Sequence, residues 1–550
     1  MTDVRASTMH AYVLKLLNEL GDASGKRIAD EWETTTLVSQ DVQRIARLRG
    51  ARVDLRAVKK FLRRLGAGFR STQVDEASLT SEERQLRDAF MQARGFLVLR
   101  TFDELAQDCI QLLESGHRLV HPPKALVIDE YQDLTAGELR LIRLISEQSG
   151  AGVFACGDDR QSIYGFRQAD PLSLNNFGMV YGVDPTYMSI SHRCPRAVVD
   201  LSEAVAARMP VAPGLSDRPK LEPEPERADP GRVRVISFAA MWPEVDWVSR
   251  TIDELRRDRP TESVMVIAPY GIDEYVKWLN LVSEDSARVV RFVDSRMKLP
   301  FQTEDAFRLW LALLRLAADE KDQLAWRAIL EIAHGYGDTT VTSLYAAGAS
   351  NLRSAIRARA PLDQKVRRLE GEVTGFIAQL REAADEAGVI AVLGQAASQW
   401  RAMVPSSLWA DIQASPLDEE LPEPSPEDIS WKRVLIRCLH AASANISDSS
   451  RKANEVLVYT VFQAKGQEAD HVFVCGTHSD AFRDQDVGRD DGLRRLYVAI
   501  TRPLKTLTLT LARDVRGTPL HSQITGAPTF PAEILEACEE VGIEIESDPG

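Results

Sequence analysis

Several things are scarce in this sequence, and each absence narrows the possibilities. No apolar run approaches the roughly eighteen residues that cross a bilayer as a helix. The opening residues, MTDVRASTMH, lack the apolar core of a secretory leader, so a cytoplasmic setting without a membrane is expected. Cysteine is sparse: Cys109, Cys156, Cys194, Cys438, Cys475 and Cys538 are scattered, with no CxxC pair. That spacing excludes a zinc ribbon or a disulfide framework and suits a reducing compartment. Basic residues are outnumbered, 67 against 81 acidic ones, and the net charge of −14 excludes a uniformly cationic coat for nucleic acid. It leaves room for a local basic track, because the field in a groove depends on where the charges sit. Internal repeats and long low-complexity tracts are missing as well. What is present is a globular composition, 44% hydrophobic and 27% charged, over 550 residues. That length implies roughly three to four domains.

The charge is unevenly spread. Residues 41–70 carry ten Arg and Lys against two Asp, while residues 411–428 carry seven acids and no base. Val58, Phe61, Leu62 and Leu65 recur at helical spacing within the basic stretch, which predicts an amphipathic helix with a cationic face. A solvated surface is the plain reading of that face; a track beside phosphates is the other. Residues 210–231 hold six prolines and predict an extended linker, as do residues 416–427 on a smaller scale. Residues 300–400 read as helical, whereas short strands followed by helices fill 120–205, 231–280 and 455–515.

Residues 125–133, ALVIDEYQD, are four apolar residues and then carboxylates. This is the pattern of a buried parallel strand ending at the ligand edge of an open α/β sheet. Acids at that edge suit a Mg²⁺–nucleotide, one carboxylate holding the metal and the next activating water. Residues 153–167, VFACGDDRQSIYGFR, repeat the design, with Gln161 placed to sense a γ-phosphate. Tyr164, Phe166 and Arg167 form a candidate base-stacking platform worth roughly 1–3 kcal/mol per base, with ordinary core packing as the alternative. Arg193 follows a short strand in SISHRCP, and YTVFQAKGQEADHVFVCG reads as strand, Lys-Gly turn and strand. In LRRLYVAITRPLKTLTLTL, apolar residues at 493, 496, 497 and 500 mark one helix face, Arg502 follows it, and TLTLTL alternates as a half-buried strand. An arginine pair of this kind is commonly structural when taken singly.

Taken in order, IDEYQD, GDDRQSIYGFR, SHRCP, AKGQEAD and LYVAITR closely resemble the motifs of the superfamily 1 UvrD/Rep/PcrA-like DNA helicases. The likeness runs from the first residues to about residue 512; STMHAYVLKLL resembles the family's DNA-contact motif, and EWETTTLVSQDVQRIA the inserted helical domain after it. The resemblance implies an α/β chain of two RecA-like parallel-sheet lobes, each with a helical insertion. It further implies ATP between the lobes and single-stranded DNA, or DNA with a single-stranded tail, across them, with 3′-to-5′ polarity. It also implies roles: Asp129 for Mg²⁺, Glu130 as base, Gln161 coupling γ-phosphate to DNA, Arg193 and Arg502 as fingers, and Glu468 on the ribose. Tyr164, Phe166, Arg167, Thr8 and His10 would meet DNA. Phe166 stands where many relatives have Trp, Phe462 replaces the usual His, and Gln467 replaces the usual Leu, which weakens the DNA assignment around those last two. In this context Arg63 and Arg64 of the basic stretch are expected beside phosphates.

The family's adenine-reading Gln and its P-loop, G-x-x-x-x-G-K-[ST], have no counterpart here. Residues 21–27, GDASGKR, have the wrong spacing and follow a helix, so they are expected to be a helix end and loop. Without that strand the first lobe is expected to be incomplete, because its neighbours keep unpaired buried backbone groups at about 1–3 kcal/mol each. A mis-set start at Met1 is the expectation, an upstream partner chain supplying the P-loop the next, and a rearranged lobe the third. Two functional readings follow: an ATP-dependent helicase or translocase that hydrolyses ATP poorly without the missing cradle, and a non-hydrolysing DNA-binding or scaffold subunit. The short acidic tail gives no support to a nuclease fusion. The expected domains are 1–185 with an insertion near 22–100, 186–317 with 451–515, an insertion at 318–450, and a tail at 516–550.

Overall fold

The computed structural model describes residues 4–547, leaving out 23, 72–75, 170–171, 210–217, 227–228, 270, 286–287, 289, 296–301, 303, 335, 416–421, 444–453, 479–481, 483–488 and 516–528. It divides into two compact units. Met1–Leu126, Thr135–Val153 and Lys298–Asn445 form the first, and Val127–Leu134, Phe154–Met297 and Ile446–Gly550 the second.

Helices dominate the first unit. The basic stretch forms two helices, Ser39–Leu48 and Leu55–Ser71, and not the single one that its periodicity predicts. Gly50, at φ +89°, sits just past the end of the first, where only glycine is unstrained, and the Asp54 carboxylate caps Ala57 N–H (2.7 Å) to start the second. Val58, Phe61 and Leu65 face inward, as their spacing requires. They join one continuous core built from residues 29–99 and 306–441. Inside it Asp41 and Arg327 are both fully buried. Arg327 Nε and Nη2 donate to Asp41 Oδ2 and Oδ1 (2.9 Å each), Tyr345 Oη also donates to Oδ2 (2.7 Å), and Arg44 adds a further bond. Arg327 Nη1 also reaches Glu331 (3.0 Å). A smaller core packs Val13, Leu16 and Leu17 against Leu105, Cys109 and Leu141.

Glu33, which accepts from Arg27, is buried in this unit as well. Burial lifts its carboxyl to about 7, against the pull of Arg27. A raised folded-state pKa means that the group's contribution to stability is full below the ordinary carboxylate range and is lost as pH rises through about 7. Glu33→Gln should therefore flatten the fall in urea midpoint between about pH 4.5 and about pH 7. The same slope in variant and parent would refute this.

Two short strands, β1 (Ala125–Ile128) and β2 (Gly152–Ala155), form a sheet of their own. Just past their ends, Cys156 N–H donates to Ile128 O (2.9 Å) and Cys156 O accepts from Tyr131 N–H (3.0 Å). Their two faces differ. Val127 is 76% and Phe154 64% exposed, whereas Leu126 packs on the Val13 core.

The second unit holds a seven-stranded, all-parallel sheet of β3 (Arg232–Phe238), β4 (Val264–Ile267), β5 (Arg291–Asp294), β6 (Glu455–Tyr459), β7 (Ala469–Val474), β8 (Pro503–Ala512) and β9 (Ile545–Ser547). The order is β9-β3-β8-β7-β4-β6-β5. Helices Arg196–Ala206, Arg489–Ile500 and Ala532–Val541 pack on one face, Met241–Asp258 and Ile272–Asp285 on the other. Coverage of both faces is the α/β architecture expected from the strand–helix alternation. It also corrects one detail: β8, expected to be half-buried, is buried on both faces, Thr508 and Thr510 included. Its polar side is satisfied internally. Thr510 Oγ1 donates to Glu244 (2.5 Å), which also accepts from Gly476 N–H (3.0 Å) and Tyr275 Oη (3.3 Å).

Candidate functional site

The acidic turn after β1 is the starting point. Asp129 and Glu130 are both exposed there, and Glu130 adopts φ +49°, a left-handed conformation that side chains normally avoid. Its N–H donates to Asp129 Oδ1 (2.9 Å), and its carboxylate accepts from Gln132 Nε2 (2.5 Å). Gln132 is fully buried and ties this turn to the turn after β2, since its Oε1 accepts Asp158 N–H (3.1 Å). A Cβ at Gly157 would meet that same Oε1 at 2.1 Å, so a side chain there would displace the Gln132 amide.

Lys465 belongs to the Lys-Gly turn between β6 and β7, and its side chain is only 6% exposed. Its Nζ donates to Asp133 Oδ2 (2.5 Å) and to Gln161 O (2.7 Å) and lies 3.7 Å from Glu130. Burial raises the Asp133 carboxyl despite that lysine. Gln161 Nε2 donates to Asp158 Oδ2 (2.9 Å), and its Oε1 accepts from Arg502 Nη2 (3.0 Å). Arg502 is 1% exposed and also donates to Val498 O (2.8 Å) and Thr501 Oγ1 (3.0 Å). Burial, and then the neighbouring charge of Arg193, draw its pKa down to about 10, which leaves it charged at neutral pH. Arg193 Nε donates to Glu468 Oε2 (2.8 Å). Acids from one end of this unit's sequence thus lie among cations from the other.

Beside them is an aromatic ladder. Tyr164 and Phe462 lie 6.1 Å apart at 32°, and Tyr164 Oη donates to Phe462 O (3.3 Å). Arg167 and Lys465 sit over the Tyr164 ring at 5.7 and 5.2 Å, and Arg495 over Phe462 at 5.1 Å. The Phe166 side chain lies outside the described residues. Sequence reasoning alone does not single out Gln132, Asp133, Asp158, Lys465 or Arg495 as site residues. A lysine in a tight turn between two apolar strands is the one available signal among them.

The remaining expected residues belong to the first unit. Thr8 Oγ1 caps the helix Met9–Glu19 by accepting Ala11 N–H (3.3 Å), and His10 stands edge-on to Phe102 (5.6 Å, 88°). Arg63 is exposed, whereas Arg64 is held by Glu83 (2.5 Å). The described residues among 21–27 run from the end of that helix into the short strand Arg27–Ile28, and the next helical run begins only beyond that strand, at residue 31. They do not form a phosphate cradle. Among the described residues, no group of three or more His, Cys, Asp or Glu could hold a metal ion, and no helix is long and apolar enough to cross a membrane. A single carboxylate such as Asp129 still fits Mg²⁺, which takes one or two carboxylates and otherwise water and phosphate oxygens.

Comparison with known proteins gives the family. The family model for the UvrD/REP helicase N-terminal domain matches residues 1–181, and that for the UvrD-like helicase C-terminal domain matches residues 419–514. The chain belongs to the UvrD-like helicase family. A 93-residue stretch is 37% identical to the A subunit of the ATP-dependent helicase/nuclease of Desulfitobacterium hafniense, covering 16% of this chain and 6% of that protein. The protein of the same description from Streptococcus agalactiae is 38% identical over 89 residues, 16% of this chain and 7% of the relative. The ATP-dependent DNA helicase srs2 of Schizosaccharomyces pombe is 29% identical over 111 residues, 20% and 12% respectively. The match therefore spans no more than 12% of the length of any of these three relatives.

Proposed function

We propose that this chain is the DNA-tracking part of an ATP-dependent helicase or translocase that moves 3′-to-5′ on single-stranded DNA. The observation that carries the reading is the bonded set Asp133–Lys465–Gln161–Arg502, which joins the acidic turn after β1 to an arginine just past the helix Arg489–Ile500. Asp129 would hold Mg²⁺, which supplies charge neutralisation at the phosphates, and Glu130 would take the proton from an attacking water. Gln161 would sense the γ-phosphate, with Glu468 at the ribose. Arg193 and Arg502 would meet the developing charge, an effect worth about 10³–10⁵ in rate where such fingers are known. Tyr164, Phe166 and Arg167, with Thr8 and His10, would line the DNA path. On this reading the lobes are 1–185 and 186–317 with 451–515, the helical insertions lie near 22–100 and 318–450, and 516–550 is a tail.

The phosphate cradle would come from a segment outside these 550 residues, upstream or on a partner chain. The open face of β1 and β2, with Val127 and Phe154 exposed, supports that view. The same face favours the second reading, a non-hydrolysing DNA-binding subunit, for residues 1–550 alone. The deciding measurement is DNA-stimulated ATPase on this chain and on a version joined to a G-x-x-x-x-G-K-[ST] segment. Stimulation only in the joined version supports the helicase reading. DNA binding without hydrolysis in both supports the scaffold, and no DNA binding in either overturns both.

The basic helix gives an independent check. Arg56, Lys60 and Arg63 lie on one exposed stripe, and among the described residues they have no ion-pair partner. Arg63→Glu should weaken DNA affinity and lower the salt slope by about one unit for each phosphate no longer neutralised. Arg64→Glu should do less, because Arg64 is held by Glu83. A salt slope unchanged in Arg63→Glu would make the stripe a solvated surface.

A further inference from the structure

The proline-rich stretch 210–231 reads as a spacer in sequence, yet one of its residues is drawn into the site. Arg218 is 21% exposed in its side chain, and its guanidinium grips both acids of the turn after β2, donating to Asp158 Oδ1 (2.8 Å) and to Asp159. Asp158 Oδ2 accepts from Gln161 Nε2, and Gln161 Oε1 accepts from Arg502, so four residues form one line: cation, carboxylate, amide, cation.

The alternation has a direct consequence for the amide. A carboxylate only accepts hydrogen bonds and a guanidinium only donates them, so an amide held between the two has one permitted orientation. Reversed, its oxygen would face the carboxylate and its NH₂ the guanidinium. Burial alone would raise the Asp158 carboxyl, but Arg218, with Gln161 and Arg160, outweighs it and keeps the group below its ordinary range and therefore ionised. The backbone of the turn is held as well, through Arg494 Nε to Asp159 O (3.2 Å) and Asp158 Oδ1 to Arg160 N–H (3.1 Å). Among the described residues, the side-chain amide of Gln161 has no such backbone anchor. Its orientation is set between Asp158 and Arg502, and the Asp158 carboxylate is held in turn by Arg218 and by Arg160 N–H.

We propose that Arg218 is a positioning residue for Gln161: by fixing the Asp158 carboxylate it sets the amide with its oxygen toward Arg502. This rests on Gln161 as the group that links nucleotide to DNA. A linker arginine, outside every motif that the sequence displays, then governs how well hydrolysis responds to DNA.

The test compares Arg218→Gln and Arg218→Lys in two measurements. The first is amide hydrogen exchange of residues 158–162 in the 550-residue chain, which should quicken in Arg218→Gln and return toward the parent in Arg218→Lys. The second is DNA-stimulated ATPase in the version joined to a P-loop segment. There kcat should fall about tenfold or more in Arg218→Gln, with KM for ATP and DNA affinity without nucleotide within about twofold of the parent, and with partial rescue by Arg218→Lys. Unchanged exchange, or unchanged kcat beside a DNA-stimulated parent, overturns the proposal. An equal loss of kcat and of nucleotide-free DNA affinity would do the same, because it would show a merely structural tether. Quickened exchange with a parent that DNA does not stimulate would instead keep the positioning link and remove the coupling role of Gln161 on which it was built.

Discussion

Asp41→Ala is expected to destabilise the helical unit by about 3–5 kcal/mol, a large share of the stability of any domain. The magnitude follows from what is stranded. Asp41 accepts from Arg327, Arg44 and Tyr345, and neither Asp41 nor Arg327 has exposed side-chain surface. After truncation Glu331 is the one acid still paired with the buried Arg327 guanidinium among the described residues, and the Tyr345 hydroxyl loses its acceptor. Replacing Asp41 and Arg327 together by leucine should recover much of the loss, because no charge is then left uncompensated. Urea denaturation followed by helical circular dichroism measures both. A cost below about 1 kcal/mol for Asp41→Ala would mean that water reaches the site and that the pair contributes little.

The largest effect on activity is expected from Glu130→Gln in the version joined to a P-loop segment. Nucleotide binding should persist while DNA-stimulated hydrolysis falls by about 10²–10⁴, the usual worth of a positioned general base. The geometry favours this assignment over a packing role. Glu130 is half exposed and touches no apolar core, and its left-handed φ of +49° costs on the order of 1–3 kcal/mol that packing does not repay. Lys465, 3.7 Å away, and Gln132 hold the carboxylate without covering it. Near-normal turnover in the variant would take Glu130 out of the base role and point to another group.

What can be read from the sequence is the chemistry carried by residue type and order. An apolar strand ending in Asp-Glu, a glycine turn followed by Gln161, and an arginine past a helix are local patterns, and local patterns survive without a structure. The partners are not legible. Lys465 meets Asp133 across 332 positions and Arg218 meets Asp158 across 60, and no periodicity encodes such a pairing. Helical spacing likewise shows that Val58, Phe61 and Leu65 face a core, but not that the core is shared with residues 306–441. The break at Gly50 escapes a periodicity argument because the apolar repeat continues on both sides of it. Thr510 suggests a wet face on β8 because its acceptor, Glu244, lies on a helix far upstream in sequence.

The core that unites residues 29–99 with residues 306–441 also bears on how the protein is made. On a ribosome adding about 5–20 residues per second, the early helices emerge roughly 20–70 s before the last of their partners. Throughout that interval Leu37, Val42 and Phe90 have no complete set of neighbours, so newly made chains should be clients of holding chaperones. Stalled translation ahead of residue 306 should yield aggregates, not a folded fragment.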